Sequence, residues 1–314
     1  MVEQYINGLD AVPATLKGCA LAIGNFDGVH LGHQRIIRTA RALAAVDGSP
    51  VVAMTLEPPP EMVLRPQSAP CRILPHEVKA RLLVEAGADV LVTAVADREL
   101  LGMSARDFVE RIIMGRFGAR HVVEGRDFHF GSKRGGDVGL LGLMGCHYGF
   151  AMHVQESVMI DTPGGQERIS SSLVRRLVAE GNVELARQAM GRPFTLYGPI
   201  VAGQGRGRLM EYPTANIDAA QQIAPADGVY AGRAVVEGRP FPAAISVGHK
   251  LTLGPEEQLF IEAFLIGADE DIYGRRMELS FLRRLRGQQK FAGVEELKAA
   301  IARDVAQVRE IVQT

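Results

Sequence analysis

The fold of the N-terminal half is decided by the stretch Leu21-Ala22-Ile23-Gly24-Asn25-Phe26-Asp27-Gly28-Val29-His30-Leu31-Gly32-His33. It predicts a buried strand, a tight glycine turn and a helix that begins near Leu31. The first amide groups of such a helix are free to bind an anion, and the positive end of its dipole favours one. His30 and His33 are three residues apart, so both rings face one side of the opening turn, where they can donate hydrogen bonds to phosphate oxygens.

Apolar runs and amphipathic stretches alternate along the first half of the chain. The apolar runs predict strands at Cys19–Gly24, Val51–Leu56, Val90–Val95, His121–Glu124 and Ala151–Gln155. Helical spacing predicts helices at Gly32–Val46, His76–Ala86, Ser104–Phe117, Gly139–Tyr148 and Ser171–Glu180. This alternation is typical of βα units around a parallel sheet, in which ligands bind at the carboxyl ends of strands. The loop after the first predicted strand is therefore the expected site.

The character of the sequence changes near Gly191. Short β-rich runs separated by Gly, Pro and Asp follow, at Phe194–Val201, Gly228–Val236, Ala243–Val247, Gln258–Leu265 and Arg276–Phe281. Their spacing is typical of an antiparallel barrel or sandwich. A closing helix is predicted at Val294–Val312. We expect two domains, residues 1–186 and 187–314.

Bulk composition excludes several classes of protein. The chain has 314 residues, 47% hydrophobic and 23% charged, which is typical of a globular protein. A formal net charge of −1 gives no general attraction to nucleic acid or to anionic membranes, so any phosphate binding must be local. Cys19, Cys71 and Cys146 form no C-x-x-C pair and are expected to be buried and reduced. With no secretory signal and no apolar run of roughly 18 residues, we expect a cytoplasmic protein without a membrane partner.

Three motifs in the first half resemble those of a known family. His30-Leu31-Gly32-His33 resembles the H-x-G-H signature of the nucleotidyltransferases. Gly125-Arg126-Asp127-Phe128-His129-Phe130-Gly131, with Lys133-Arg134-Gly135-Gly136-Asp137, resembles the flavin-side motif of the FMN adenylyltransferases. Ile169-Ser170-Ser171-Ser172-Leu173-Val174-Arg175 resembles their I-S-S-T-x-I-R motif, and hydroxyls with an arginine at a helix start suit a triphosphate.

The second half carries a motif of its own. The glycine run Gly203-Gln204-Gly205-Arg206-Gly207-Arg208 does not fit a phosphate-binding loop, because G-x-x-x-x-G-K-[ST] is absent. In Tyr212-Pro213-Thr214-Ala215-Asn216, however, a proline-fixed turn precedes a hydroxyl and an amide that could ligate Mg²⁺ on a nucleotide. This segment resembles the G-F-P-T-A-N motif of riboflavin kinase. Together the two halves resemble the prokaryotic bifunctional riboflavin kinase/FMN adenylyltransferases.

The resemblance implies an α/β chain, with a Rossmann-like nucleotidyltransferase domain followed by a small antiparallel β-barrel and a C-terminal helix. It implies two reactions: riboflavin and ATP give FMN, and FMN and ATP give FAD. In the first domain it implies that ATP and FMN are bound by Gly24, Asn25, Phe26, Asp27, His30, Gly32, His33, Asp127, Phe128, Ser170, Ser171, Ser172 and Arg175. In the second it implies a nucleotide loop with Gly203, Gly207 and Pro213, Mg²⁺ ligands Thr214 and Asn216, and the general base Glu262. Besides ATP, riboflavin, FMN and Mg²⁺ we expect no nucleic acid partner, and a monomer or weak homo-oligomer.

The sequence departs from the family at several positions. Pro59 stands where the family's T-F-x-P-H-P has histidine, and Glu211 stands where G-F-P-T-A-N has glycine. The family's N-x-G-x-x-P-T-F reads Ser246-Val247-Gly248-His249-Lys250-Leu251-Thr252-Leu253. The family's E-x-H-x-x-D-F reads Glu262-Ala263-Phe264-Leu265-Ile266-Gly267-Ala268. The kinase half is therefore expected to be weak, altered in substrate or inactive.

Three alternatives to the two-step enzyme remain open from the sequence. The first is an FMN adenylyltransferase whose barrel only binds flavin or supports the fold. The second is a regulatory protein that binds flavin or nucleotide without catalysis, which the intact His30, His33 and Arg175 disfavour. The third is a nucleotidyltransferase that acts on another phosphate or sugar.

Overall fold

The structure is a computed structural model that describes residues 5–201, 214–251, 257–268 and 272–313. The chain forms two compact units, Met1–Pro70 with His76–Ser171, and Cys71–Pro75 with Ser172–Thr314. The predicted boundary between residues 186 and 187 separates two activities. It stays a prediction, because compact units do not show which residues each reaction needs.

A parallel sheet forms the centre of the first unit. The strands of this unit are β1 Tyr5–Asn7, β2 Ala20–Ile23, β3 Val51–Glu57, β4 Val90–Val95, β5 His121–Gly125, β6 His129–Phe130, β7 Gly136–Asp137, β8 Ala151–Gln155, β9 Met159–Thr162 and β10 Gly165–Arg168. The sheet has the order β1-β4-β3-β2-β5-β8, and every neighbouring pair is parallel. The five predicted strands are confirmed. The edge strand β1 was not predicted, because three residues are too few to give a periodic pattern.

The order of the strands places a crevice beside the glycine turn. From β2 the chain moves outward through β3 and β4 and then returns to β5, which lies on the other side of β2. The strand order therefore reverses between β2 and β5. In open α/β sheets the carboxyl ends at such a switch point diverge and leave room for a ligand.

Helices flank the strands of the sheet. They are α1 Leu31–Asp47, α2 Pro60–Leu64, α3 His76–Glu85, α4 Arg98–Gly102, α5 Ala105–Asp107 with a following π-helix Phe108–Met114, and α6 Val138–Tyr148. The helix expected at Ser104–Phe117 is thus a short α-turn followed by wider π-turns. The apolar pattern could not distinguish these, because both helix types bury one face; here Phe108, Val109, Ile112 and Ile113 are buried.

Six antiparallel strands close into a barrel in the second unit. They are β11 Phe194–Val201, β12 Thr214–Ile217, β13 Gly228–Val236, β14 Arg239–Leu251, β15 Glu257–Leu265 and β16 Arg276–Arg286. The closed order β11-β12-β15-β14-β13-β16 decides for the barrel over the sandwich. Thr214-Ala215-Asn216, for which no strand was predicted, belong to β12. Two inward apolar residues, Ala215 and Ile217, are too few to reveal a strand by alternation.

Three further helices complete the second unit: α7 Ser171–Ala179, which begins at the end of the first unit, α8 Val183–Met190 and α9 Val294–Gln313. Helix α9 packs on β13 and β14 and confirms the predicted closing helix. Asp304 of α9 is buried, and its Oδ2 lies 2.7 Å from Nη2 of Arg286 on β16.

Two other expectations concern the cysteines and the membrane. Cys19 is buried, and burial raises the pKa of its thiol to about 12. Cys71 and Cys146 are exposed, so the expectation that all three are buried was wrong. Among the described residues, every helix is too short or too polar to cross a bilayer.

Candidate functional site

The turn after β2 has a strained backbone. Phe26 and Val29 adopt positive φ angles of 49° and 38°, which side-chain-bearing residues rarely do. Both side chains are buried, and the Phe26 ring lies against Gly24 and edge-on to the His33 ring at 5.3 Å. Such conformations cost on the order of 1–3 kcal/mol each and persist only where the surroundings fix them. The turn is therefore held by its packing in a shape that the local sequence does not favour.

Side chains from three other segments also fix the turn by binding its carbonyl groups. Lys79 Nζ donates to the Asn25 carbonyl at 3.2 Å and Thr55 Oγ1 donates to the same oxygen at 3.3 Å. Ser171 Oγ donates to the Asp27 carbonyl at 2.8 Å. The Lys79 side chain is only 5% exposed and lies 3.8 Å from the Glu57 carboxylate, which offsets part of the cost of burying its charge. Lys79 and Thr55 were missed by the sequence analysis.

Pro59, the departure from T-F-x-P-H-P, lies just beyond β3. It precedes helix α2 at the N-cap position and provides no side-chain hydrogen bond. Two residues later, Glu61 Oε2 accepts a hydrogen bond from Asn25 Nδ2 at 3.3 Å. A polar contact from this segment to the turn is therefore present, although it comes from a carboxylate and not from a histidine.

The two histidines form a stacked pair at the start of α1. Their ring centroids are 3.6 Å apart, and the His33 backbone N–H donates to His30 Nδ1 at 3.4 Å. An imidazole whose Nδ1 accepts a hydrogen bond has its donor at Nε2, which is the nitrogen that would donate to a phosphate oxygen. A Cβ at Gly32 would lie 3.1 Å from the His30 ring. The glycine of H-x-G-H is thus needed so that the imidazole can lie against the backbone.

A cavity of about 290 Å³ opens at this point, within the first unit. It brings together residues of all three motifs from the first half. The lining includes Gly24, Phe26, His30, Gly32, His33, Asp127, Phe128, Ser170 and Ser171. Asn25 and Asp27 are in the same turn. Larger cavities occur elsewhere, one of 510 Å³ near Asp97 and one of 710 Å³ near Arg187, but their linings contain none of the predicted site residues.

The wall of the cavity that comes from the flavin-side motif is polar and ion-paired. Asp127 forms an ion pair with Arg168 of β10, and Arg126 forms one with Glu156. A Cβ at Gly136 would lie 2.6 Å from the Phe130 ring, so this motif glycine permits the β6–β7 pairing. Because Asp127 is paired with Arg168, the cavity has an ion pair at the position where the resemblance places the phosphate of the flavin.

A buried carboxyl group also borders the cavity. Glu124 is 2% exposed, and its Oε1 accepts a hydrogen bond from the Ile23 N–H at 2.6 Å. Burial raises the pKa of Glu124 well above its ordinary value of 4.5, and the bond from Ile23 opposes this only in part. Burial therefore favours the protonated, neutral form of the Glu124 carboxyl group. Glu124 was not predicted from the sequence.

Ser172 and Arg175, the last residues of the I-S-S-T-x-I-R-like motif, belong to the second unit. Arg175 Nε donates to the Cys71 carbonyl at 2.8 Å, so the guanidinium has a fixed contact with its own unit. Their role with the triphosphate stays a prediction.

The outer face of the barrel carries the second set of predicted residues. Asn216 on β12 is paired in register with Glu262 on β15, which is paired in turn with Ser246 on β14. The alternate residues Ala215 and Ala263 are buried in the barrel, so the three polar side chains share its outer surface. Side chains directly opposite in antiparallel strands lie about 4.5–5.5 Å apart between Cβ atoms. The register therefore places an amide, a carboxylate and a hydroxyl in one row.

Two residues extend this row. Thr214 is two positions before Asn216 and lies on the same face of β12. Gln288 Nε2 donates to Ser246 Oγ at 3.1 Å and to the Val247 carbonyl at 2.8 Å. Gln288 was not predicted. In the altered segment, His249 Nδ1 lies 2.8 Å from the Asp227 carboxylate.

The donor set on this face fits Mg²⁺ bound together with a nucleotide. Thr214, Asn216 and Glu262 offer oxygen donors, and Mg²⁺ is usually held by one or two carboxylates with substrate phosphates and waters. Within the described ranges, no group of three or more His, Cys, Asp or Glu residues could hold a metal by itself. The predicted loop residues Gly203, Gly207 and Pro213, and the departure Glu211, lie outside the described residues.

Comparisons with known proteins match a different family model to each half of the chain. Residues 12–173 match the FAD synthetase family model, and residues 190–312 match the riboflavin kinase family model. A Pseudomonas fluorescens protein named bifunctional riboflavin kinase/FMN adenylyltransferase is 34% identical, covering 98% of this chain and 97% of its own length. An Escherichia coli K12 protein of the same name is 35% identical, covering 97% and 96%.

A solved structure from Streptococcus pneumoniae, named macrolide-efflux protein, is 28% identical with a TM-score of 0.86 and covers 98% of this chain and 99% of its own. Its name states another activity, whereas both family models and the full-length relatives agree with each other. The chain belongs to the family of bifunctional riboflavin kinase/FMN adenylyltransferases.

Proposed function

We propose that the chain makes FAD from riboflavin in two ATP-dependent steps, with FMN adenylyl transfer in residues 1–186 and riboflavin phosphorylation in residues 187–314. The family supports both activities. The observation that carries the adenylyl transfer site is the 290 Å³ cavity, which gathers three motifs that are far apart in the sequence.

In adenylyl transfer, the ATP triphosphate binds across the turn after β2 and the start of α1. A phosphate oxygen of FMN attacks the α-phosphorus, a new P–O bond forms, and the bond to pyrophosphate breaks. The imidazoles of His30 and His33 donate hydrogen bonds to the pyrophosphate as its negative charge grows. Asp127 and Phe128 face the flavin side, and Ser170 and Ser171 bind the triphosphate. Positioning and charge stabilisation suffice for this reaction, so no covalent enzyme intermediate is required.

In the kinase step, Glu262 accepts the proton of the riboflavin 5′-hydroxyl as its oxygen attacks the γ-phosphorus. The bond between the γ-phosphorus and the β-phosphate oxygen breaks, and ADP leaves. Thr214 and Asn216 would hold Mg²⁺, which neutralises phosphate charge when bound. The row Asn216–Glu262–Ser246 supports this assignment, since the strand register pairs Glu262 with both Asn216 and Ser246.

A second candidate is an FMN adenylyltransferase whose barrel binds flavin with weak or no phosphorylation. Glu211 and the replaced segment 246–253 favour it. A negative side chain beside ATP at about 4 Å costs roughly 1 kcal/mol in water and more when partly buried, and about 1.4 kcal/mol is already a tenfold loss of rate.

Separate assays of the two steps decide between these candidates. The pure chain is incubated with Mg-ATP and either riboflavin or FMN, and the flavins are separated by chromatography. The two-step enzyme forms FMN and FAD from riboflavin, whereas the second candidate forms FAD only when FMN is supplied. Chelation of Mg²⁺ with EDTA should stop both reactions. If FMN and ATP gave no FAD, the assignment of the first half would be wrong.

A further inference from the structure

Glu124 lies where the sheet opens beside the glycine turn. In the described part of the chain, the ladder between β2 and β5 consists of the pairs Ala20–His121 and Leu21–Val122. Beyond these pairs the two strands diverge, and the Glu124 carboxyl reaches across the gap to the Ile23 N–H. The Glu124 carboxyl group thus lies at the switch point of the sheet and binds Ile23, the last residue before the glycine turn.

The Glu124 carboxyl group has a hydrogen-bonding capacity that Ile23 does not use. Oε1 accepts the bond from Ile23, and a carboxyl group in its protonated form also has an O–H group that can donate. The other titratable or charged residues that line the same cavity are His30, His33, Arg126, Asp127, Glu156 and Arg168. Both arginines are paired with acids, Arg126 with Glu156 and Arg168 with Asp127. A bound polyphosphate would add negative charge and disfavour ionisation of Glu124 further.

The chemistry of the cavity separates a charged end from a neutral end. The start of α1, with its amides, dipole and imidazoles, suits the phosphates. A neutral carboxylic acid instead suits an uncharged acceptor, such as a ring nitrogen of adenine or a ribose oxygen. Ile23 and Ile36 line the cavity beside Glu124 and add apolar surface for such a group.

We propose that Glu124 is a nucleotide-binding residue whose buried carboxyl group forms a hydrogen bond with the nucleoside part of ATP. This inference rests on the proposed adenylyl transfer in the first half. A binding role explains why this buried residue is a carboxylic acid, although the Ile23 N–H requires only a hydrogen-bond acceptor.

Two variants of the full chain test the proposal. Glu124→Gln keeps a donor and an acceptor in the same shape, whereas Glu124→Met keeps the size and removes both. Glu85→Gln, on the exposed surface of α3, is the matched control. Calorimetry measures the dissociation constants of α,β-methylene-ATP and of tripolyphosphate, and thermal unfolding checks that each variant is folded.

We expect Glu124→Gln to bind the ATP analogue within about threefold of the wild-type affinity, and Glu124→Met to bind it about tenfold more weakly, the loss of one hydrogen bond. Tripolyphosphate, which lacks a nucleoside, should bind all variants alike. FAD formation from FMN should follow the same order, with the KM for ATP rising more than kcat falls. A purely structural role for Glu124 would lower the melting temperature without this split.

Several outcomes would overturn the proposal. These are wild-type nucleotide affinity in Glu124→Met, an equal loss for tripolyphosphate, or a tenfold loss in Glu124→Gln. If Glu124→Met does not fold, the affinity of Glu124→Gln decides alone. If the wild type itself binds no ATP analogue and forms no FAD, the proposed function of the first half fails together with this inference.

Discussion

In the first half of the chain the site residues come from the ends of parallel strands, whereas in the second half they come from the outer face of a closed barrel. The first arrangement depends on backbone shape: positive φ angles at Phe26 and Val29, and carbonyl groups held by Lys79, Thr55 and Ser171. The second depends on register, which sets Asn216, Glu262 and Ser246 in a row. A site built from strained turns is sensitive to packing at a distance, and a site built from register is sensitive mainly to its own side chains.

The largest expected effect separates the two sites completely. His30→Ala should lower the rate of FAD formation from FMN by about 10²–10³-fold, the usual cost of removing a donor to a developing negative charge. Glu262→Gln should lower FMN formation by about 10²–10⁴-fold, as expected for a general base. Each variant should leave the other reaction unchanged, and the two assays on one preparation measure this. Loss of both activities in either variant would show that the sites are not independent.

Lys79→Met tests whether the first site depends on a residue outside its motifs. The change removes a buried donor to the Asn25 carbonyl and the cation near Glu57. We expect a loss of about 1–3 kcal/mol in the free energy of unfolding, because buried acceptors lose their partner, and a roughly tenfold rise in the KM for ATP. Urea unfolding and steady-state kinetics measure both. Lys17→Met, at an exposed lysine, is the control and should change neither.

The pH dependence of stability tests the buried Glu124 of the first site. The pKa of Glu124 is raised in the folded state, so the folded chain binds its proton more tightly than the unfolded chain does. The stabilisation is therefore complete below the ordinary pKa of 4.5 and is lost as pH rises toward the raised value, by up to about 1.4 kcal/mol per pH unit. Glu124→Gln should flatten this dependence above pH 4.5 in urea unfolding. An unchanged slope would mean that Glu124 does not carry the proton.

Gly32→Ala should separate activity from stability at the first site. The added Cβ would lie 3.1 Å from the His30 ring and displace it by a few tenths of an ångström. We expect FAD formation to fall about tenfold, while helix propensity stabilises α1 by up to about 1 kcal/mol. Kinetics of the sample check the expected fall in FAD formation, and thermal unfolding of the same sample checks the expected gain in stability. Gly142→Ala, in α6 with open space at its Cβ, should leave FAD formation unchanged.

The sequence predicted the parts of both sites that are local and missed those that are long-range. The strand, turn and helix around His30 follow from neighbouring residues, and the five parallel strands follow from apolar runs. Lys79 and Glu124 could not be found in this way, because their partners Asn25 and Ile23 are 54 and 101 residues away. The apolar spacing of α3 does not show which way a lysine points. Strand β12 was missed because its pairing with β15, and not its composition, makes it a strand.

Gln288→Leu gives the smallest and most local effect and tests whether register alone sets the second site. Gln288 joins the row only by donating to Ser246 Oγ and to the Val247 carbonyl, so its loss leaves the strands paired. Since one hydrogen bond contributes about 0.5–1.5 kcal/mol, FMN formation should fall about three- to tenfold, with FAD formation from FMN unchanged. The neighbouring Gln289→Leu, at an exposed residue, is the control for the added apolar surface. Equal FMN formation in both variants would mean that Ser246 is ordered by the barrel strands themselves, and that the second site needs no support from outside its register.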